Sequence, residues 1–149
     1  MQAHHIRPAG PEDLPGVLAL YRQLNPDDPV LDVAIAQKVW SALLASSFTT
    51  PFVAEVAGAL VSTCTLAIVP NLSRGARPYG VIENVVTDAA HRRTGLGRAI
   101  LTVAVEKAWA ADCYKVFLAT GSRRETTLQF YEGAGFERDA KTYFEIRRA

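Results

Sequence analysis

The stretch from Tyr79 to Ala108 limits the fold more than any other part of the chain. Tyr79–Thr87 (YGVIENVVT) is rich in β-branched residues and reads as a strand. It runs through Asp88-Ala89-Ala90-His91 into Arg92-x-x-Gly95-x-Gly97, then into a helix with the apolar stripe Leu96, Ile100, Val103, Ala104 and Ala108. A strand, a glycine-containing turn and a helix in that order place backbone N–H groups at a helix N-terminus, where the dipole is positive. Gly95 and Gly97 have no side chain to keep an anion from the backbone. Arg92, Arg93 and Arg98 add charge-assisted contacts. Such a turn suits phosphate or pyrophosphate. Its spelling excludes two common nucleotide loops. A Walker loop needs Lys and Ser/Thr where Arg98-Ala99 stand, and GxGxxG needs a third glycine where Ile100 stands.

The remaining elements are read from periodicity and turn signals. Ile6–Pro8 is a short first strand, and Gly10-Pro11-Glu12-Asp13 opens a helix with the stripe Leu14, Val17, Leu18, Tyr21 and Leu24. After the loop Asn25–Pro29, Asp32 caps a second helix that buries Ile35, Val39, Trp40, Leu43 and Leu44. Phe52–Val56 and Leu60–Val69 form a hairpin about Ala57-Gly58, and Asn71–Pro78 is a polar loop. Tyr114–Ala119 is a strand, Glu125–Glu132 a helix closed by Gly133-Ala134-Gly135, and Tyr143–Arg147 a last strand. The expected order is β-α-α-β-β-β-α-β-α-β in one domain spanning residues 1–149, an α/β fold with a mixed central sheet and helices on both faces. Trp40 and Trp109 read as packing residues.

Composition narrows the functional classes. With 49% hydrophobic residues, 21% charged residues and a net charge of +1, the chain is typical of a globular protein and has no global field directed at nucleic acid. No apolar run is long enough for a membrane span, and Met1–Arg7 lacks the apolar centre of a secretory signal. Cys64 and Cys113 show no CxxC spacing and read as reduced core thiols, which places the protein in the cytoplasm. His4, His5 and His91 have no paired ligand at metal spacing, so no metal is expected. Glu83 stands mid-strand among apolar residues, where a buried carboxylate needs a partner or a task. Its neighbour Asn84 either orients a substrate or stabilises a bulge.

Arg92-x-x-Gly95-x-Gly97 resembles the Q/R-x-x-G-x-G/A motif of the GNAT superfamily of acetyl-CoA-dependent N-acetyltransferases. Phe130-Tyr131-Glu132-Gly133-Ala134-Gly135-Phe136 (FYEGAGF) is similar to a segment near the end of many members, and the opening Ile6-Arg7-Pro8-Ala9 with Glu12-Asp13-Leu14 is also of that kind. The resemblance covers nearly the whole chain. It implies a splayed pair of parallel strands, here Tyr79–Thr87 and Tyr114–Ala119, with the pantetheine arm of acetyl-CoA in the gap. Val85, Val86 and Thr87 would meet that arm. Arg92, Arg93, Thr94, Gly95, Leu96, Gly97 and Arg98 would carry the pyrophosphate. Gly95→Asp or Gly97→Asp is then expected to abolish CoA binding and leave the fold intact. Many members carry an asparagine seven residues before the tyrosine, where this chain has Arg124.

Acetyl transfer to an amine requires a neutral nucleophile, stabilisation of an oxyanion and a proton for the departing thiolate. The resemblance assigns Tyr131 as the general acid and a backbone N–H near Val85 as the oxyanion donor. Glu83 would accept the amine proton, directly or through water, or would hold a cationic substrate. The expected activity is direct transfer from acetyl-CoA to a primary amine of a small molecule or protein in a ternary complex. A homodimer is the assembly the family implies. Gly80–Asn84 and Cys113-Tyr114-Lys115 resemble stretches of glucosamine-phosphate N-acetyltransferases, which makes an aminosugar one candidate acceptor among several. The competing reading is a catalytically silent acyl-CoA-binding or regulatory module, in which Tyr131 only packs. A third reading takes Arg92, Arg93, Arg98, Arg123 and Arg124 as a nucleic-acid surface, and the glycine-rich helix start argues against it.

Overall fold

The computed structural model describes residues 3–148; Met1, Gln2 and Ala149, part of the terminal stretches read above, lie outside it. Five strands form one sheet in the order β1-β2-β3-β4-β5. They are β1 (His5–Pro8), β2 (Thr49–Val56), β3 (Ala59–Val69), β4 (Tyr79–Thr87) and β5 (Val116–Phe117). The first four pair antiparallel in sequence, and β5 pairs parallel with β4. The helices are α1 (Leu14–Leu24), α2 (Val33–Ala45), the single turn α3 (Ser73–Ala76), α4 (Leu96–Ala110) and α5 (Glu125–Gly133). The α/β class with a mixed sheet therefore holds.

Alternation along the strands feeds two cores. Phe52, Cys64, Leu66 and Ile82 face α4, whose Ile100, Leu101, Ala104 and Ala108 are fully buried against them. Val53 points to the other face and packs with Val17 of α1 and Trp40 of α2. The buried thiols Cys64 and Cys113 are both free, and burial pushes Cys64 up to about 12.

Several details separate the structure from the expected pattern. The helix does not begin at Glu12: Pro11–Asp13 is a 3-10 turn and α1 starts at Leu14. Asp32 caps α2 as read, accepting from the N–H groups of Ala34 and Ile35, but α2 is rotated from the expected stripe. Trp40 is buried and Leu43 and Leu44 pack against the core as expected, but Ala36 takes the buried place beside them and Ile35 and Val39 are more than half exposed. The Trp40 indole N–H donates to Gly10 O at 3.1 Å and fixes that rotation. Trp109 is 52% exposed and is not a packing residue.

Tyr143–Arg147 is not a strand. Among the described residues it pairs with nothing, and Phe144 and Ile146 are 88% and 98% exposed. Its side-chain bonds are local: the Tyr143 hydroxyl and the Arg147 guanidinium both donate to Glu145. The alternating pattern that suggested a strand lacks the neighbouring ladder a strand needs.

Candidate active site

β4 and β5 are joined only where Gly80 and Val81 oppose Val116 and Phe117. Gly80 permits this approach, since a Cβ there would lie 3.2 Å from Val116 Cγ2 and 3.3 Å from Leu66 Cδ1. Past Val81, β4 continues to Thr87 with no strand on that side, so the pair opens into a V. A bulge helps to turn it. Thr65 opposes Glu83 and Thr63 opposes Val86, leaving Asn84 and Val85 against one residue of β3. Asn84 takes the left-handed φ of 54° that the bulge imposes, a conformation asparagine tolerates better than most residues. The Tyr79–Thr87 strand is thus as read, whereas Tyr114–Ala119 contracts to the two paired residues of β5.

The V opens onto a cleft of about 1000 Å³ between the end of β4, the start of α4 and one side of α5. Val85, Val86 and Thr87 form its β4 wall, and Arg92, Arg93, Gly95, Gly97 and Arg98 form its end. Gly95 is the N-cap of α4 at φ 86°, and no side chain caps the helix. Ala99 N–H bonds to Gly95 O, so the N–H groups of Leu96, Gly97 and Arg98 precede the first closed turn and have no backbone acceptor. Arg93 is also left-handed, at φ 62°. Donors, a helix dipole and several guanidinium groups converge on one end of the cleft, which suits a doubly charged anion.

The two glycines serve different purposes. A Cβ at Gly95 would meet nothing within 4 Å, so the demand there is the left-handed backbone. At Gly97 a Cβ would lie 3.0 Å from Phe130 Cζ and 3.2 Å from Thr87 Oγ1. Gly97→Asp would therefore press on the Phe130 ring, which must give by a few tenths of an ångström, so this substitution perturbs packing against α5 as well as the anion site. Leu96 sends its side chain into the core at 5% exposure and can offer only its backbone. The side chain of Val86, also 5% exposed, points into the core as well. Thr94 turns its hydroxyl to His91 O and does not line the cleft.

Tyr131 lies on the α5 wall, half-buried, in edge-to-face contact with Phe130 and Phe136 at 5.0 and 6.4 Å between ring centres. Burial raises its phenol above the usual value, with a smaller contribution from the nearby Cys64 thiol. Its hydroxyl makes no hydrogen bond among the described residues and is open to the cleft. Glu83 is exposed, forms no ion pair among the described residues and does not line the cleft. The premise that it is a buried carboxylate fails, because Glu83 alternates with the buried Ile82 and faces away from the α4 core.

The sequence assigned no place in the cleft to Gln23 at the end of α1, Ser122, Thr126, Thr127 and Gln129, and weighed His91 only as a metal ligand. Arg124, read as a departure from the family's asparagine and as part of a possible nucleic-acid surface, is the N-cap of α5 and lines the cleft. Its place just ahead of a helix start was a usable signal. The N-terminus of α5 is in turn organised by Ser122, which donates to Thr127 Oγ1 and accepts from Arg124 N–H.

Comparison with known proteins supplies independent findings. A family model described as "Acetyltransferase (GNAT) family" matches residues 17–136. A glucosamine 6-phosphate N-acetyltransferase of Trypanosoma brucei brucei is 35% identical over 124 residues, covering 83% of this chain and 82% of that protein. A solved structure described as a putative acetyltransferase from Agrobacterium tumefaciens str. C58 is 51% identical, with a TM-score of 0.92 over 97% of this chain and 99% of that one. A crystal structure of a Trypanosoma brucei acetyltransferase is 28% identical, with a TM-score of 0.79 over 99% of each chain.

Proposed function

Because this chain belongs to the acetyltransferase (GNAT) family, an acyltransferase with acetyl-CoA as cosubstrate, we propose that it acetylates the primary amine of an aminosugar phosphate by direct transfer in a ternary complex. The observation that carries the reading is the uncapped start of α4, open to a cleft that also exposes the Tyr131 hydroxyl. In this reading the N–H groups of Leu96, Gly97 and Arg98 hold the pyrophosphate, with Arg92, Arg93 and Arg124 around it. The free edge of β4 at Val85–Thr87 pairs with the pantetheine amides as an added strand would.

The chemistry follows from what the chain provides. Glu83, outside the cleft, takes through intervening water the proton that the ammonium of the acceptor must lose. The amine nitrogen then bonds to the thioester carbonyl carbon while a backbone N–H near Val85 meets the oxygen that gains charge. The carbon–sulfur bond breaks, Tyr131 gives its proton to the departing thiolate, and the second proton that the nitrogen sheds as the amide forms returns to the Tyr131 phenolate through water. Burial keeps that proton on Tyr131 throughout the neutral range.

Two observations favour an aminosugar phosphate as acceptor. The first is the 35% identity to the trypanosomal enzyme. The second is the positive charge of Arg74 and Lys115 at the closed end of the V, where neither forms an ion pair among the described residues. Lys115 Nζ lies 5.2–5.6 Å from the centres of three rings, Tyr79, Tyr114 and Phe117. Free thiol release with glucosamine 6-phosphate, glucosamine, an aminoglycoside and a peptide amine tests the choice. The phosphorylated sugar should give the highest kcat/KM. Equal rates for glucosamine and its phosphate would overturn it.

A further inference from the structure

We propose that Gln23 is a positioning residue for cofactor binding: its side-chain amide clamps the loop between β4 and α4 in the shape that receives the pyrophosphate. The inference rests on the reading that this loop is the pyrophosphate site. Gln23 is in the last turn of α1, an element that packs on the opposite side of the sheet from α4. Its amide nitrogen donates to Asp88 Oδ1 at 2.7 Å, and its amide oxygen accepts from Ala89 N–H at 3.0 Å. Both ends of one side chain are thus committed to consecutive residues of the loop. Only an amide provides a donor and an acceptor at that separation.

Asp88 is the hub through which the clamp acts. Its other oxygen accepts from Ala90 N–H at 3.0 Å and lies 2.9 Å from His91 Nδ1. Asp88 N–H is itself fixed to Val61 O of β3 at 2.7 Å. His91 O receives the Thr94 hydroxyl, and Arg92 Nε donates to Thr87 O at 3.1 Å. The loop from Asp88 to Thr94 is therefore held from its first residues, and Gly95 begins α4 directly after it. The hydrogen bond from Gln23 is also the largest influence holding the Asp88 carboxyl below its ordinary value, ahead of His91. Gln23 lines the cleft, yet its polar atoms are engaged by the protein, which assigns it to the loop and not to the ligand.

The test is calorimetric titration of CoA into the full chain at neutral pH, with steady-state kinetics in parallel. Gln23→Met keeps the length of the side chain and removes both hydrogen bonds. It should weaken CoA binding about three- to tenfold and raise the KM for acetyl-CoA similarly, with kcat within about twofold. In an Asp88→Ala background the same substitution should cost little more, because both act on one network. Gln23→Glu keeps the acceptor for Ala89 but sets a carboxylate against Asp88, so it should bind no better than Gln23→Met. Unchanged affinity in Gln23→Met, a full effect in the Asp88→Ala background, or wild-type affinity in Gln23→Glu would each overturn the proposal. Gly95→Asp separates it from the reading beneath it. If that variant binds CoA normally, the loop is not the pyrophosphate site and both fall; if it does not bind and Gln23→Met does, only the clamp falls.

Discussion

Tyr131 is fixed in place by aromatic edges and by nothing polar. A hydroxyl with no protein partner contributes little to folding, so replacing it separates chemistry from packing. Tyr131→Phe should lower kcat about 10²-fold and leave the KM for acetyl-CoA within about twofold, measured as thiol release. Since burial raises this phenol from its ordinary 10.0, the proton needed by the thiolate is lost only at higher pH, and Tyr131 sets an alkaline limb above that value. The two motif glycines separate at the same scale. Gly95→Asp should abolish CoA binding and cost about 1 kcal/mol of stability without unfolding the chain, because aspartate is strained at this left-handed position although the space around it is empty. The sequence made these glycines equivalent, since both are small residues beside a phosphate turn. Only the position of the Phe130 ring, contributed by a distant helix, shows that Gly97 is a packing contact as well. Glu83 was legible as an oddity in its strand and illegible in its exposure, because it lies on the face of β4 opposite the buried Ile82, and which face is covered at that point depends on elements distant in sequence.

The FYEGAGF segment has a structural reason that operates at the level of the element. α5 ends with Gly135 N–H bonding to Glu132 O and Phe136 N–H bonding to Tyr131 O, a Schellman closure with Gly135 at φ 100°. The closing residue Phe136 lies against the Tyr131 ring, so the helix stop and the orientation of the candidate acid are one feature. Gly135→Ala should cost about 1–2 kcal/mol in urea unfolding and also reduce kcat, because an alanine there would strain the stop that seats Tyr131. A reduced stability with unaltered kcat would show that Tyr131 is seated independently. The glycines and aromatics of this segment were legible as a motif, and their hydrogen bonds give the reason for it. The rotation of α2 was not legible. Trp40 was expected in the buried stripe, but Ile35 and Val39 satisfy helical periodicity as well as Ala36 does, and the deciding contact is that of Trp40 with Gly10, which lies before α1.

Across the whole molecule the two faces of the sheet are held by different physics. The α4 face is a continuous apolar core, and the cleft is built on it. The α1–α2 face has a smaller core, with an ion-pair cluster at its edge. Arg7 of β1 donates to both oxygens of Asp13 at 2.6 and 3.0 Å and to Glu55 of β2 at 3.2 Å, while Asp13 also accepts from Gly10 N–H. This cluster ties the entry to α1 onto two strands; Arg7 and Asp13 fall within the opening segment noted in the sequence, whereas Glu55 is 48 residues from Arg7 and no local pattern discloses it. Asp13 is 6% exposed, and Arg7 chiefly holds its carboxyl below the usual range. A carboxyl with a depressed folded value stabilises the protein above its unfolded pKa and loses that contribution as pH falls through the folded one. Asp13→Asn should therefore cost about 2–3 kcal/mol at pH 7, and the difference from wild type should shrink below about pH 4, read from urea unfolding at both values. CoA affinity at pH 7 should remain within about twofold of wild type, because no residue of the cluster lines the cleft. A gap in stability that persists in acid would mean that the substituted amide is penalised by shape and not by charge. A large loss of CoA affinity would mean that the two faces are coupled through the sheet, and the cleft could then no longer be treated as resting on the α4 core alone.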